Sequence, residues 1–504
     1  MICGRSRPVT ANIEWSVELS EKETSMPTFQ LEEATIKTMQ DAMNSGEITS
    51  RDLTAMYLER IAQIDKSGPT LNSVLEINPD AIYIAERLDA ERRQGKLRGP
   101  LHGIPILLKD NIDTADNMHT SAGTLALADS FAMEDAFLVK RLRAAGVVLL
   151  GKTNMTELAN FMTTGMPNGY SSRGGQVLNP YGPGKLQPGG SSSGSGAAVA
   201  ANLCAGAVGT ETSGSILNPA CRNGVVGIKP TLGLVSRRGI IPITYTQDTA
   251  GPMARTVQDA AILLSAMAGE DPADEATLGS GERVCLNYTD FLDKDGLRGA
   301  RVGINRGYEA NFTEDEKRLL SEAIVSMREA GAVIVEQTNL THIASNSTVL
   351  LYEFKSALNR YLAGLAPNYP IRTLKDIIDF NNRHYEQTLK YGQTLLLRAQ
   401  YETSGTMTEP AYIHDRLRDW RRSREEGIDR LLREHQLDAL LCPGVTDAAA
   451  VSGYPSIIVP AGFRDDGMPF GIAFVGTAYS EPALLRLAYA YEQVSKRRKP
   501  PVLD

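Results

Sequence analysis

The chain has 504 residues, of which 42% are hydrophobic and 22% charged, with 60 acidic against 52 basic side chains. This composition excludes a disordered or collagen-like chain. The net charge of −8 disfavours a nucleic-acid-binding protein, which needs a basic excess. Five cysteines without a CxxC pair, and six scattered histidines, predict neither a disulfide framework nor a zinc site.

The first thirty residues mix charges of both signs and contain no apolar run long enough for a secretion signal. We therefore predict an N-terminal extension over 1–30 and one folded domain over 31–504, since no domain linker or internal repeat stands out. No stretch approaches the ~20 apolar residues that span a bilayer. These features predict a cytoplasmic monomer or homodimer with no membrane or nucleic-acid partner.

Two helices open the folded part, one over 31–44 and one starting after Thr49 and Ser50. Residues 73–77 have the pattern of a short strand. Asn78 then has the features of a helix N-cap, because a proline follows it at the position where proline suits a helix.

Strands and helices alternate from residue 100 onward. The predicted strands lie at 104–108, 147–150, 301–305, 332–336, 437–441 and 456–459. The predicted helices lie at 136–145, 197–205, 313–330, near 346–365, at 412–435 and at 481–495. Such alternation predicts an α/β fold, with a central sheet covered by helices on both faces.

Residues 146–153 match the phosphate-loop pattern GxxxxGK[ST]. In a phosphate loop the middle residues form a loop whose amides surround phosphate. Here the middle residues are Val-Val-Leu-Leu, which favour a strand, so we predict a buried strand and no ATP hydrolysis.

Glycine and serine dominate 165–196, which leads directly into an alanine-rich helix. A flexible linker is one interpretation of that composition. The alternative is a loop whose backbone N–H groups face an anion or a reacting oxygen, because linkers seldom lie between regular elements inside a domain.

Three side chains suggest acyl transfer. Ser215 has small neighbours that let a carbonyl approach, Ser191 follows a glycine pair, and Lys109 ends an apolar strand. A serine hydroxyl needs a base, and a lysine can be one if burial lowers its pKa. Taken singly, a turn serine and a solvated lysine are the commoner interpretations of these residues.

The chain resembles the amidase signature family over nearly all of its length after residue 30. The matching motifs are Gly-Ser-Ser-Ser-Gly-Ser at 190–195, Gly-Thr-Glu at 209–211, Gly-Ser-Ile at 214–216, Lys-Pro-Thr at 229–231, Leu-His-Gly-Ile-Pro at 101–105, Lys-Asp-Asn at 109–111, Gly-Lys-Thr-Asn at 151–154 and Asp-Thr-Ala-Gly-Pro-Met at 248–253. The resemblance implies the amidase signature fold, with one large mixed, mainly parallel sheet.

The resemblance also implies a catalytic triad of Ser215, Ser191 and Lys109. In that family the nucleophile corresponds to Ser215, the neutral base to Lys109, and the proton relay to Ser191, whose bond to Gly190 is implied to be cis. The implied oxyanion hole comprises the backbone amides of Thr212, Ser213, Gly214 and Ser215. The predicted reaction is amide hydrolysis through a serine acyl-enzyme, with no metal or organic cofactor.

Within the family the likeness is greatest to bacterial peptide amidases, which remove C-terminal peptide amides, and we predict C-terminal peptide amides or similar acyl amides as substrates. The chain departs from the usual pattern in three places. Ser213 replaces a common glycine, Leu217 replaces a common arginine, and the segment 442–453 is much shorter than the usual loop. The alternative function is the A subunit of a tRNA-dependent glutamyl or aspartyl amidotransferase, which the missing arginine disfavours.

Overall fold

The computed structural model describes residues 29–307, 311–340 and 347–503. The predicted extension therefore lies almost wholly outside the described residues, and the boundary at residue 30 stays a prediction. None of the helices in the described ranges combines the length and apolarity needed to cross a membrane.

The strands in the described part of the chain are β1 (Val74–Ile77), β2 (Pro105–Lys109), β3 (Val148–Thr153), β4 (Tyr170–Ser171), β5 (Gly175–Gln176), β6 (Gly206–Glu211), β7 (Val226–Lys229), β8 (Thr249–Ala254), β9 (Arg301–Ile304), β10 (Val333–Val335), β11 (Ala439–Pro443), β12 (Ser456–Phe463) and β13 (Pro469–Val475). The α-helices there are α1 (Ile36–Ser45), α2 (Ser50–Arg60), α3 (Ala81–Arg93), α4 (Phe137–Ala144), α5 (Ser193–Ala200), α6 (Leu217–Arg222), α7 (Val257–Met267), α8 (Glu314–Glu329), α9 (Ser347–Ala363), α10 (Leu374–Arg383), α11 (Tyr385–Thr388), α12 (Thr394–Glu402), α13 (Pro410–Ser423), α14 (Asp429–Glu434), α15 (Asp447–Ser452) and α16 (Glu481–Ser495).

Eleven of these strands form one mixed sheet in the order β1-β3-β2-β6-β8-β7-β12-β13-β11-β9-β10. Two groups of three, β3-β2-β6 and β11-β9-β10, pair in parallel, and the pairs between and beside them are antiparallel. Every residue of β2, β3 and β6 is buried. Because successive residues of a strand face opposite sides, helices must cover both faces there. The predicted fold class is confirmed.

Side-chain caps begin several of the helices. Thr49 caps α2 through a capping box with Asp52, and Thr313 caps α8 in the same way with Glu316.

A separate apolar cluster, built mainly from α9, α10, α12 and the segment 155–166, lies beside the main core. The loop between β3 and α5 is thus packed against its own group of helices.

The structure corrects three predicted helix boundaries. Helix α3 starts at Ala81 with Asp80 as its N-cap, two residues later than predicted, and Asn78 Oδ1 accepts a hydrogen bond from Asp80 N at 3.0 Å just before it. The helix predicted over 197–205 starts at Ser193 and ends at Ala200, and its Ser195 hydroxyl finds partners on neighbouring strands, Thr153 Oγ1 at 2.8 Å and Val208 O at 3.4 Å. The helix predicted over 412–435 is interrupted at Gly427, whose dihedral angles are not helical.

The phosphate-loop match lies in strand β3, as the apolar middle residues predict. Lys152 is fully buried there, and its Nζ donates to Ile112 O at 2.6 Å and to Thr120 Oγ1 at 3.0 Å. This lysine therefore contacts the protein itself at the position where a phosphate loop would present it to a nucleotide.

Candidate active site

Lys109 is the last residue of β2, at the carboxyl edge that β2 shares with its parallel neighbour β6. The side chain is fully buried. Its Nζ lies 2.8 Å from Ser191 Oγ, 2.9 Å from Thr210 Oγ1 and 3.2 Å from Thr210 O. Within the described residues it pairs with no carboxylate, so only neutral oxygens surround the amine.

Burial lowers the pKa of Lys109 to about 7, and the negative charges of Glu211 and Asp248 oppose this effect without reversing it. Removal from water disfavours the ammonium form, because no neighbouring dipole restores the lost hydration in full. A large share of the amine is therefore uncharged near neutral pH. An uncharged amine can accept a proton from the hydroxyl that it contacts.

Ser191 follows a cis peptide bond to Gly190 and is fully buried. Ser191 O accepts a hydrogen bond from Thr156 N at 3.0 Å, which fixes the backbone on one side. Gly190 must be a glycine, because a Cβ at this position would lie 2.6 Å from Thr156 Oγ1 and 2.8 Å from Asn168 Oδ1. Its N–H donates to Asn218 Oδ1 at 3.1 Å, which joins this turn to α6.

Ser215 lies in the turn between β6 and α6, next to the Ser191 segment. Ser192 N donates to Ser215 O at 3.1 Å, so the two serine-bearing segments are in direct backbone contact. Ser215 is 7% exposed, whereas Lys109 and Ser191 are fully buried, so Ser215 is the member of the three that solvent reaches. Its Oγ makes no hydrogen bond to any of the described residues, and the contact between the two serine hydroxyls is not formed.

The Ser215 turn is closed by a buried carboxylate. Glu211 Oε2 accepts hydrogen bonds from Ile216 N at 2.7 Å and Leu217 N at 3.0 Å, across the base of the turn. These amides begin α6, where carboxylates are stabilised by the helix dipole. Glu211 thereby fixes the two residues that follow Ser215.

Between these anchors, the backbone N–H groups of Thr212, Ser213, Gly214 and Ser215 donate to no acceptor among the described residues. Gly214 adopts a left-handed conformation, with φ of 77°, which reorients successive N–H groups in the turn. A row of free N–H groups beside a hydroxyl can stabilise an oxygen that becomes negative during a reaction.

The same turn is held from its other side by Asp248. Thr212 Oγ1 donates to Asp248 Oδ1 at 2.6 Å, and Gln247 Nε2 donates to Thr212 O at 3.1 Å. Burial raises the pKa of the Asp248 carboxyl, and hydrogen bonds from Thr212, Thr244 and Ile243 counteract part of that rise. These contacts fix the turn and leave the backbone N–H groups of residues 212–215 without acceptors among the described residues.

The structure brings the predicted residues Lys109, Ser191 and Ser215 to one edge of the sheet. The sequence predicts no role for Thr210, although both of its oxygens contact Lys109 Nζ, and it places Glu211 only within a family motif. A polar pair at the end of the apolar strand β6 is the signal that could have identified them, because such side chains need buried partners.

The two cysteines close in sequence to these motifs do not take part in the site. Cys204 is fully buried, and burial raises the pKa of its thiol to about 12. Cys221 is also buried, and burial raises its thiol pKa too. Neither forms the thiolate that nucleophilic attack requires at neutral pH.

Several known proteins are similar to this chain in sequence or in structure. The family model described as Amidase matches residues 52–451. A peptide amidase from Stenotrophomonas maltophilia is 49% identical, and the match covers 94% of this chain and 99% of that one with a TM-score of 0.88. A probable amidase from Arabidopsis thaliana is 42% identical over 489 residues, which is 94% of this chain and 92% of the relative. The A subunit of the glutamyl-tRNA(Gln) amidotransferase from Thermosynechococcus vestitus is 32% identical over 89% of this chain and 95% of its own length.

Proposed function

This chain belongs to the amidase family and is an amide hydrolase, and we propose that it cleaves its substrate through a covalent intermediate on Ser215. The observation that carries this mechanism is the buried Lys109 amine at 2.8 Å from Ser191 Oγ, beside a turn that bears Ser215 and four free N–H groups. Each component that an acyl transfer needs is supplied by the chain itself.

In the proposed first step Ser215 Oγ attacks the amide carbonyl carbon. Its proton passes to Ser191 Oγ as the Ser191 proton passes to the uncharged Lys109 Nζ, so the relay serine ends unchanged. The carbonyl oxygen becomes an oxyanion that the amides of residues 212–215 stabilise. The proposed relay requires a rotation of the Ser215 side chain that brings its hydroxyl to Ser191 Oγ.

Collapse of the tetrahedral species breaks the C–N bond. The proton returns from Lys109 through Ser191 to the departing nitrogen, which leaves as ammonia or an amine. Water then attacks the acyl-enzyme, its proton takes the same relay to Lys109, and a second collapse releases the acid and restores Ser215. Charge and protons balance over the cycle without a further reactant.

The proposed substrates are C-terminal peptide amides or similar acyl amides. The support is the 49% identity to the peptide amidase of Stenotrophomonas maltophilia, maintained over nearly the whole length of both chains. The amidotransferase relative is more distant, at 32% identity. Leu217 is fully buried, and it gives the turn an apolar side chain where many family members carry arginine.

Ser215→Ala tests the mechanism. Removal of the nucleophile should lower kcat/KM for a peptide amide by at least about 10⁴-fold, because members of a nucleophile–base unit fail together. Ammonia release measures turnover, and hydroxylamine trapping followed by mass spectrometry should detect an acyl adduct in the wild type only. Ser321→Ala, a serine on the surface of α8, is the matched control.

Near-normal turnover by Ser215→Ala would refute the assignment of the nucleophile. The purified chain should also hydrolyse peptide amides without any partner. Hydrolysis of glutamine alone, dependent on added partner proteins, would favour the amidotransferase function instead.

A further inference from the structure

Two departures from the family pattern, Ser213 and the shortened segment 442–453, meet in the structure. Ser213 Oγ donates a hydrogen bond to Asp447 Oδ1 at 2.8 Å. Beside it, a Cβ on Gly214 would lie 3.3 Å from Val445 Cγ1, so the backbone of the turn is in close contact with this segment. The short segment before β12 thus packs directly on the turn that bears the free N–H groups.

Asp447 is the first residue of α15, and that helix is anchored at both ends. Thr446 is its N-cap. At the other end Arg424 Nε donates to Ser452 O at 2.7 Å, and Leu232 N donates to Gly453 O at 2.9 Å. The Asp447 carboxylate is consequently held in place beside the active site by a fixed element.

The Asp447 carboxylate has few partners for a group that is partly removed from water. Its side chain is half-buried. Within the described residues, the bond from Ser213 is its only side-chain hydrogen bond, and no lysine, arginine or histidine pairs with it. Asp248, on the other side of the turn, accepts several hydrogen bonds, from Thr212, Thr244 and Ile243. A carboxylate that is partly desolvated and lacks a cation favours a positively charged partner.

Its charge also matters for catalysis. A carboxylate close to the proposed oxyanion raises the energy of that oxyanion, because like charges repel. A substrate ammonium group bound to Asp447 removes this cost and adds a charge-assisted hydrogen bond. The transition state of a positively charged substrate would therefore be stabilised more than that of a neutral one.

We propose that Asp447 is a specificity-determining residue that binds an ammonium group on the acyl side of the substrate. The substrate class is then amides with an amino group close to the scissile carboxamide, such as amino-acid amides and short peptide amides with a basic group near their C-terminus. This inference rests on the proposed function, since it concerns the amide that Ser215 attacks. The buried Leu217 agrees with it, because the turn offers no cation for an acidic substrate.

The test compares L-phenylalanine amide with 3-phenylpropanamide, which lacks only the α-amino group. Both are assayed at about pH 7, below the ordinary pKa of an α-amino group, and the ratio of their kcat/KM values is measured. Asp447→Asn keeps an acceptor for Ser213 but removes the charge. It should lower the ratio by about tenfold or more, as expected for loss of a hydrogen bond between charged groups.

Two further variants complete the design. Asp447→Ser also removes the charge and suits a helix start, so it carries the test if the asparagine variant does not fold. Asp465→Asn is the matched control, because Asp465 is an exposed carboxylate that pairs with Arg318 on the surface at 3.2 Å. The control should keep the wild-type ratio.

An unchanged ratio of the two kcat/KM values in both Asp447→Asn and Asp447→Ser would overturn the inference. If both kcat/KM values also fell by the same factor, Asp447 would only position the turn. Wild-type hydrolysis of the neutral amide, combined with either result, leaves the proposed function intact. Failure of the wild type to hydrolyse either amide or any peptide amide would instead refute the proposed function, and the inference with it.

Discussion

Two buried lysines at the ends of neighbouring strands have different environments. Lys109 ends β2, and Lys152 is the last residue but one of β3. Lys152 is in register with Leu108, so it projects to the opposite face of the sheet from Lys109. Thr153 shares the face of Lys109, and its Oγ1 lies 2.8 Å from Ser195 Oγ in α5.

The partners of the two amines decide what each can do. Lys109 Nζ contacts the hydroxyls of Ser191 and Thr210, which can give up protons. Lys152 Nζ is bound to Ile112 O and to one hydroxyl, Thr120 Oγ1, and that hydroxyl donates to Ile112 O at 3.5 Å. Burial lowers the pKa of Lys152 as well, against the opposing charge of nearby carboxylates. Both lysines are therefore buried and in contact with a hydroxyl. What distinguishes Lys109 is that its partner Ser191 adjoins Ser192, whose N–H donates to Ser215 O.

Of the changes that test this comparison, Lys109→Met has the largest expected effect, because it keeps the side-chain length and removes the amine. In the proposed mechanism Ser191 then has no proton acceptor, so kcat/KM for a peptide amide should fall roughly 10³–10⁴-fold. Ammonia release under conditions where the variant is folded, as judged by circular dichroism, is the measurement. Retention of most activity would show that another group is the base.

Lys152→Met should affect stability instead. The change leaves Ile112 O and Thr120 Oγ1 without their donor and should lower the free energy of unfolding by about 1–3 kcal/mol. The midpoint of urea unfolding measures that loss, and kcat/KM per folded molecule should stay near the wild-type value. A loss of activity as large as that of Lys109→Met would mean that the two lysines do not differ in the way proposed.

The pH dependence of kcat/KM should show the smallest effect of these three tests. Burial lowers the pKa of Lys109 to about 7, and the proposed base must be uncharged. Below that value the amine is protonated, so kcat/KM should fall as the pH falls and should approach a tenfold loss per pH unit. A neutral substrate such as 3-phenylpropanamide avoids titration of the substrate itself. A rate that is constant from about pH 8 to about pH 5.5 would contradict an uncharged lysine base with this pKa.

Much of the fold could be predicted from the sequence because its elements are strongly patterned. The apolar strands before Lys109 and around residues 147–150 and the capped helix α8 all form close to their predicted positions. The errors lie where tertiary contacts override local preference. Glycine and serine rarely favour a helix interior, yet α5 begins at Ser193, and its Ser195 hydroxyl bonds to Thr153 Oγ1 and Val208 O on strands β3 and β6.

The candidate site was predictable only in part. Lys109, Ser191 and Ser215 were chosen through the family motifs, whereas the roles of Thr210 and Glu211 became apparent only from distances. A sequence shows that a polar residue ends a strand, but it does not show which atom that residue meets. The pairing of Ser213 with Asp447, 234 positions apart, had no local signal at all.

The sequence by itself determined the family and the α/β fold class, and it predicted the site residues, because strand patterning and motif spacing are local properties. Tertiary structure alone decided which lysine contacts the hydroxyl of Ser191, how far each amine is removed from water, and which carboxylate lies beside the Ser215 turn. Those properties depend on strand register and on packing between distant segments. A shift of one residue in a strand sends a side chain to the other face of the sheet.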